Sequence, residues 1–488
     1  MLDAKTRGWV VVETADLRVR SDTRPDRAVE LAAHYQRMHD AIAEHELPCG
    51  FDRLTVPLEV TLFEQSGEPS FHRPPQTNLL GLQAQIVVHS ADRRDSLGFF
   101  THELTHRLVA VCFPTATTWL HEGMAGFYQT ARLHAETLEL GFPPYVVMPR
   151  SYWVGPVQIG QTEFNGERIT VLPDSRMPGV EALRGMSRSE FYTADLSQEL
   201  IHYAGAWALV HLLKHGDLSL SPLYIRYIEA LQAGKEESAA WRASFGDVDI
   251  PGLYEIYLTE HQYARVRSMH IPKPEGLVAR PMSKGDAALM LAQLELWNDD
   301  KGAKRAEAYI DFASEQDATR LAALLLRGAF LETRGDEAAA LASVQQALER
   351  ESDHPDALAA MLQLHMSEAA VAQGISEQID DWLRTLERNA TSAYHFAVAA
   401  WWATYVLGDV PRGAALAKRA IELDGTNFMA YVNLGDAAAS LGQLDRALEA
   451  YVAALALSRH HLGEVRQHLE ARVSAIRAEL GDPEAAPN

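Results

Sequence analysis

The chain is poor in cysteine, in cationic side chains and in long apolar runs, and each shortage removes a class of protein. Its two cysteines, Cys49 and Cys112, are too few for a disulfide framework in 488 residues, and both are expected as reduced, buried side chains. Lys and Arg number 44 against 66 Asp and Glu, a formal net charge of −22. No nucleic acid is therefore expected as partner, because phosphate binding is dominated by Lys and Arg. No stretch approaches the length of a bilayer-crossing helix. The longest apolar runs, such as 396–406, carry small or polar residues at helical spacing, so no membrane span is expected. Nothing with the character of a signal peptide precedes Trp9-Val10-Val11-Val12, which reads as the first strand. As written, the chain is expected in the cytoplasm; a leader removed from the numbered chain would make it secreted or periplasmic.

What remains is a soluble globular composition, 47% hydrophobic and 23% charged, with length enough for two or three domains. Strand-like segments at 9–13 and 17–20 precede a helical pattern over 27–43. Leu58, Val60 and Leu62 then alternate, and 82–88 is a second β-rich run before Ser90-Ala91-Asp92 opens a helix. The mixture is α+β. Residues 150–197 are rich in Gly, Pro and aromatics, with Asn165-Gly166 marking a hairpin turn, and a long apolar helix follows over 198–215. Pro272, Pro274 and Pro281 interrupt all periodicity, so 271–284 reads as a linker between a first domain, 1–270, and a helical domain, 285–480, with a tail at 481–488.

The helical part repeats. Gly374, Gly408 and Gly442 lie 34 residues apart, each between two helical patterns. Tyr431, Leu434, Gly435, Gly442, Ala447, Tyr451 and Ala454 form the clearest unit, and Gly328, Gly335, Ala340 and Ala347 a second. A degenerate unit containing Ala306 and Ala313 precedes them. These units resemble tetratricopeptide repeats, which implies an all-α solenoid that binds a protein partner and carries no chemistry of its own. A generic Ala-rich bundle is the alternative. Trp401, Trp402 and Tyr405, at helical spacing, read as core filling.

The chemistry sits in Phe99-Phe100-Thr101-His102-Glu103-Leu104-Thr105-His106. A spacing of four places His102 and His106 on one helix face, about 40° apart in rotation, as two imidazoles on one tetrahedral metal require. Glu103 stands beside them as a general base for an attacking water. A third ligand is needed, and Glu122 follows within Trp119-Leu120-His121-Glu122-Gly123-Met124-Ala125-Gly126-Phe127. Glu122 on a second helix completes a His₂Glu set with one position left open. His121 points about 100° away from Glu122 and is not assigned as a ligand.

His-Glu-Leu-Thr-His followed by Trp-Leu-x-Glu-Gly-x-Ala resembles the peptidase MA-like bacterial gluzincins, relatives of the thermolysin clan. The likeness covers about residues 9–260. It implies one Zn2+ per chain on His102, His106 and Glu122, with Glu103 catalytic and a peptide or protein as substrate. It also implies a mixed sheet over active-site helices, with an antiparallel edge strand near 82–88 that binds an extended peptide. The segment 201–210 resembles the family's later helix. From it Tyr203 is expected to stabilise the oxyanion, Tyr192 and His202 being the other candidates and a packed aromatic the structural alternative. One departure stands out. Thermolysin-like relatives carry an acidic residue one turn after the glutamate ligand, where this chain has Gly126, so another group orients a histidine or none does. Retention of all three ligands and Glu103 favours an active zinc metallopeptidase over a catalytically inactive scaffold whose repeats bind partners. Hydrolysis of a non-peptide bond is a third reading.

Overall fold

A computed structural model describes residues 5–47, 56–64, 70–72, 85–89, 94–113, 115–142, 161–164, 167–170, 177–193, 195–216, 218–260, 267–296, 300–366, 377–458 and 463–480. Alternation builds the first two strands. Val10 and Val12 of β1 (Val10–Glu13) and Leu17, Val19 and Ser21 of β2 (Leu17–Ser21) face the core. The outward Arg18 and Arg20 of β2 both reach Glu59 of β3 (Leu58–Phe63), at 3.0 and 2.9 Å, so the polar face is paired by charge across strands. β4 (Ser70–His72), β5 (Gln85–His89) and β11 (Ala279–Pro281) complete a six-stranded sheet of order β11-β1-β2-β3-β5-β4. It is mixed: β2, β3 and β5 run parallel, while β11, β1 and β4 pair antiparallel with their neighbours.

Two expectations change here. The β-rich run near 82–88 is expected as an antiparallel edge, yet β5 lies inside the sheet, parallel to β3, and β4 forms the edge. Its consecutive Ile86, Val87 and Val88 are all buried, as a strand covered on both faces must be. The stretch 271–284 is expected as a linker, yet β11 lies within it and pairs with β1, Val10 opposite Pro281 and Val12 opposite Ala279. A proline is tolerated there because β11 is an edge. The carbonyl of Ile271 accepts both Nε and Nη2 of Arg37, at 3.2 and 2.9 Å, which ties the same stretch to the first helix.

That helix, α1 (Pro25–Asp40), starts on Pro25, carries Asp26 in its first turn, and continues into a π-helical turn, Ala41–Glu46. α2 (Arg94–Cys112) and α3 (Thr118–Gln129) follow β5. Ser90, Ala91, Asp92 and Pro114 lie outside the described residues, as do Cys49, Asn165, Gly166, Gly374 and the tail. Short strands β6 (Arg132–Leu133), β7 (Thr137–Leu140) and β10 (Arg267–His270) form a second sheet, and β8 (Gln161–Phe164) pairs antiparallel with β9 (Glu167–Thr170) around the expected hairpin position. Helices α4 (Val180–Gly185), α5 (Arg188–Phe191), α6 (Leu196–His211), α7 (Ser221–Gln232), α8 (Glu237–Phe245) and α9 (Ile250–Glu260) complete this part. The apolar helix expected over 198–215 is α6 plus a π turn, Leu212–Gly216. Cys112, expected reduced, is disulfide-bonded. It sits at the last residue of α2, where a cysteine can reach a neighbouring segment of the chain.

Beyond β11 the described chain is helical: α10 (Lys284–Glu295), α11 (Asp300–Ser314), α12 (Arg320–Thr333), α13 (Glu337–Arg350), α14 (Pro355–Leu364), α15 (Glu377–Asn389), α16 (Ala393–Tyr405), α17 (Val410–Leu423), α18 (Phe428–Ser440), α19 (Leu444–Leu457) and α20 (Gly463–Glu479). Gly335, Gly408 and Gly442, with φ of 75°, 67° and 69°, turn the chain between α12 and α13, α16 and α17, and α18 and α19. A Cβ on Gly435 would lie 2.7 Å from the Tyr451 ring, so the small residue sets the approach of α18 to α19. Trp402 is core, its Nε1 donating to the Leu362 carbonyl, whereas Trp401 is half-buried and Tyr405 is exposed with its hydroxyl on Asp436.

This helical arc touches the first domain at both ends. Trp9 meets Phe63 edge-on at 5.3 Å and packs with Ala287, Met290 and Leu291 of α10. At the far end α19 packs on α2, and Arg477 pairs with Glu236. Among the described residues no helix is long and apolar enough to cross a membrane.

Candidate metal centre

The same periodicity that holds α2 down turns its His102 and His106 face toward α3. Phe100, Leu104 and Leu108, four apart, are buried, and Tyr35 of α1 stacks on Phe100 at 4.0 Å. His102 and His106 lie on the other side of the helix, toward α3. There Gly123 removes the side chain that would hold α3 away from α6: a Cβ would fall 2.5 Å from the Ala206 carbonyl oxygen and 2.7 Å from Val210. The close approach lowers the preceding residue, Glu122, into the interior, where it is 1% exposed.

Three acceptor atoms converge there. Glu122 Oε2 is 3.3 Å from His106 Nε2 and 3.5 Å from His102 Nε2, and the two Nε2 atoms are 3.0 Å apart. A tetrahedral ion with bonds of about 2.0–2.1 Å has ligands about 3.3 Å apart, so the triangle has the edge lengths of such a site. Facing lone pairs repel unless a cation or a proton lies between them, and two nitrogens with one carboxylate oxygen are a donor set that suits zinc. Burial pushes the Glu122 carboxyl up, yet the His106 and His102 imidazoles outweigh it and hold it well below the usual carboxylate range. Burial also pulls both imidazoles down; at His102 Glu122, with Glu103 and Gln129 adding, more than offsets this and the group ends raised, whereas His106 ends lowered.

Around the triangle each expected residue has a place. Glu103 is half-buried one position from His102, and its charge is felt at His102, His106, Tyr192 and Tyr203. Tyr192 donates its hydroxyl to Glu122 Oε1. Tyr203 of α6 has its ring 6.4 Å from those of His102 and Tyr192, and its hydroxyl makes no hydrogen bond to a described residue. Burial and then the Glu122 charge raise the pKa of both phenols, which keeps them protonated donors. His202 is committed elsewhere, its Nδ1 2.9 Å from the Phe191 carbonyl oxygen. His121 is buried beside His106, ring centroids 6.1 Å apart, outside the triangle.

The residue that sequence reasoning missed is Gln129, whose Oε1 lies 3.1 Å from His102 Nδ1. Its signal was present: it follows Glu122 by seven positions, two helical turns, so both lie on one face of α3. A buried charge cluster fixes the same helix from behind. Lys214 Nζ is 2.6 Å from Glu46 and 2.8 Å from the Tyr128 hydroxyl, and Arg267 approaches the other Glu46 oxygen at 3.3 Å. Burial raises the Glu46 carboxyl, but Lys214 and Arg267 bring it below its ordinary value. A second grouping of ligating side chains, Asp16, His39 and Asp40, is bridged by Gln36, whose amide donates to Asp16 at 2.7 Å and Asp40 at 2.5 Å. Those carboxylates are satisfied by protein donors.

A family model described as a tetratricopeptide repeat matches residues 416–449, spanning the end of α17, α18 and the start of α19. Among solved structures, the chain is similar to the crystal structure of MamA, at 18% identity over 32% of this chain and 86% of that one, TM-score 0.26. It is also similar to a thermophilic TPR protein of Thermus thermophilus, at 19% identity over 40% of this chain and 99% of that one, TM-score 0.31. No curated protein matches the chain.

Proposed function

We propose that the chain is a zinc-dependent metallopeptidase of the gluzincin type, whose tetratricopeptide-type repeats bind a protein partner or substrate. The convergence of His102 Nε2, His106 Nε2 and Glu122 Oε2 within 3.0–3.5 Å of one another carries the reading. A zinc ion held by these three atoms supplies Lewis acidity and makes water acidic enough to attack at neutral pH. Glu103 takes the proton of the attacking water on its carboxylate and passes it to the leaving amine nitrogen. The Tyr203 hydroxyl, which bonds no described residue, donates to the oxyanion that develops on the scissile carbonyl. Tyr192 holds Glu122 Oε1, which leaves Oε2 to face the two imidazoles. Strand β4, the edge of the sheet among the described residues, offers its backbone to an extended peptide. The repeats supply the protein-binding part, as the match at 416–449 supports. A disulfide at Cys112 supports an oxidising, secreted or periplasmic setting over the cytoplasm.

The test is metal content paired with proteolysis. Purified protein should carry about one zinc per chain, and His102→Ala and His106→Ala should lose it. Glu103→Gln should keep zinc and fold while cleavage of proteome-derived peptides drops roughly 10²- to 10⁴-fold. Identical peptide profiles from wild type and Glu103→Gln, both with zinc bound, would overturn the peptidase reading and favour the scaffold.

A further inference from the structure

We propose that Gln129 is the positioning residue of this site: its carboxamide oxygen fixes the tautomer and orientation of His102 from two turns beyond the glutamate ligand. The inference rests on the metal-site reading above. His102 turns Nε2 to the triangle, so Nδ1 carries the proton and donates to Gln129 Oε1 at 3.1 Å. Gly126, one turn after Glu122, has no side chain to offer an imidazole. Gln129, two turns after Glu122, reaches His102 instead, and it lies against a glycine of α2. A Cβ on Gly98 would sit 3.1 Å from the Gln129 carbonyl oxygen and 3.3 Å from its Cγ. Gly98 precedes His102 by one turn, so the glycine, the glutamine and the histidine form a stack along one edge of α2.

The acceptor here is a neutral amide where a carboxylate would serve relatives of the thermolysin type. A carboxylate behind an imidazole raises the basicity of the ligand nitrogen; an amide orients it with less of that effect. Zinc should therefore be held in a well-defined geometry but less tightly than the same ligands would hold it with an acid behind His102.

Chelator competition for zinc, together with the visible spectrum of the cobalt-substituted protein, tests this on the full chain. Gln129→Ala should weaken zinc binding roughly 10- to 100-fold and shift the cobalt bands. Gln129→Glu should bind at least as tightly as wild type with the wild-type band pattern, and Gly98→Ala should resemble Gln129→Ala by displacing the amide. Zinc affinity and cobalt bands unchanged in Gln129→Ala, or not rescued in Gln129→Glu, would overturn the assignment while leaving the three ligands standing. A wild-type protein that binds neither metal would overturn the metal site itself.

Discussion

Gly123 of α3 faces the carbonyl of Ala206 in α6 so closely that an added Cβ would stand 2.5 Å from the oxygen. Depth of burial of Glu122 is thus set one residue away, by backbone meeting backbone. Gly123→Ala should force the helices apart, lower stability by about 1–3 kcal/mol, and reduce zinc content because Glu122 rises out of the triangle. Melting and metal analysis on one preparation check it. An alanine variant with wild-type melting and full zinc would show that α3 is positioned elsewhere.

Two tyrosines near the triangle should separate by assay. Tyr203→Phe should keep zinc and lose roughly 10- to 10³-fold in kcat, as the loss of one oxyanion donor does. Tyr192→Phe should act through Glu122 and show first as weaker zinc binding. The reverse pattern would exchange their roles.

His211 gives the fold a dependence on pH. It is fully buried, accepts from the Tyr257 hydroxyl at 2.7 Å and donates to the Gly141 carbonyl at 3.0 Å. Burial, with His215 adding, depresses its pKa from 6.5 to about 4. The unfolded chain therefore takes up a proton below about pH 6.5 while the folded chain does not. Stability is lost as pH falls from about 6.5 to about 4 and levels below that, a loss of about 3 kcal/mol. Denaturant midpoints at pH 7 and 4.5 should differ more for wild type than for His211→Gln. Equal differences would remove His211 as the cause.

The boundary of the first domain is equally open to test. A chain ending at residue 270 lacks β11 and exposes the edge of β1, whereas one ending at residue 282 retains the pairing of Val10–Val12 with 279–281. The longer piece should melt higher and aggregate less. Equal melting would make β11 dispensable.

Thiol titration reports the state of Cys112. Unreduced protein unfolded in denaturant should give no free thiol, and reduction should release two, the full cysteine content. Reduction should also lower the melting temperature. Two reactive thiols before reduction would contradict the bond.

The grouping of His102, His106 and Glu122 was legible because its signal is local: His102 and His106 need only a helix, and the adjacent Glu-Gly pair needs only a second one. The 34-residue glycine spacing was equally local, since Gly408 and Gly442 turn the chain wherever they occur. What escaped depends on pairing across long separations. Nothing near Pro281 announces that Val10, 271 residues earlier, is its partner. The apolar run at 86–88 suits an edge or an interior strand until its neighbours are known. Cys112 depends on the approach of a distant segment in the same way. Gln129 lies between these cases, visible in the helical period of α3 but silent about the histidine it faces.

The junction of sheet and repeats bears on mechanics. The chain leaves β11 at Pro281 and enters α10 shortly afterwards, at Lys284, so tension carried by the helical arc arrives at one end of a three-residue strand. Loaded from its end, such a pairing peels one hydrogen bond after another and yields at low force. Trp9, which packs with Phe63 and with α10, joins the sheet to the repeats beside that strand. With α19 packed against α2, a pull along the repeats also reaches the histidine-bearing helix. The repeats and the helix that carries His102 should therefore yield as one unit under extension, in a single rupture.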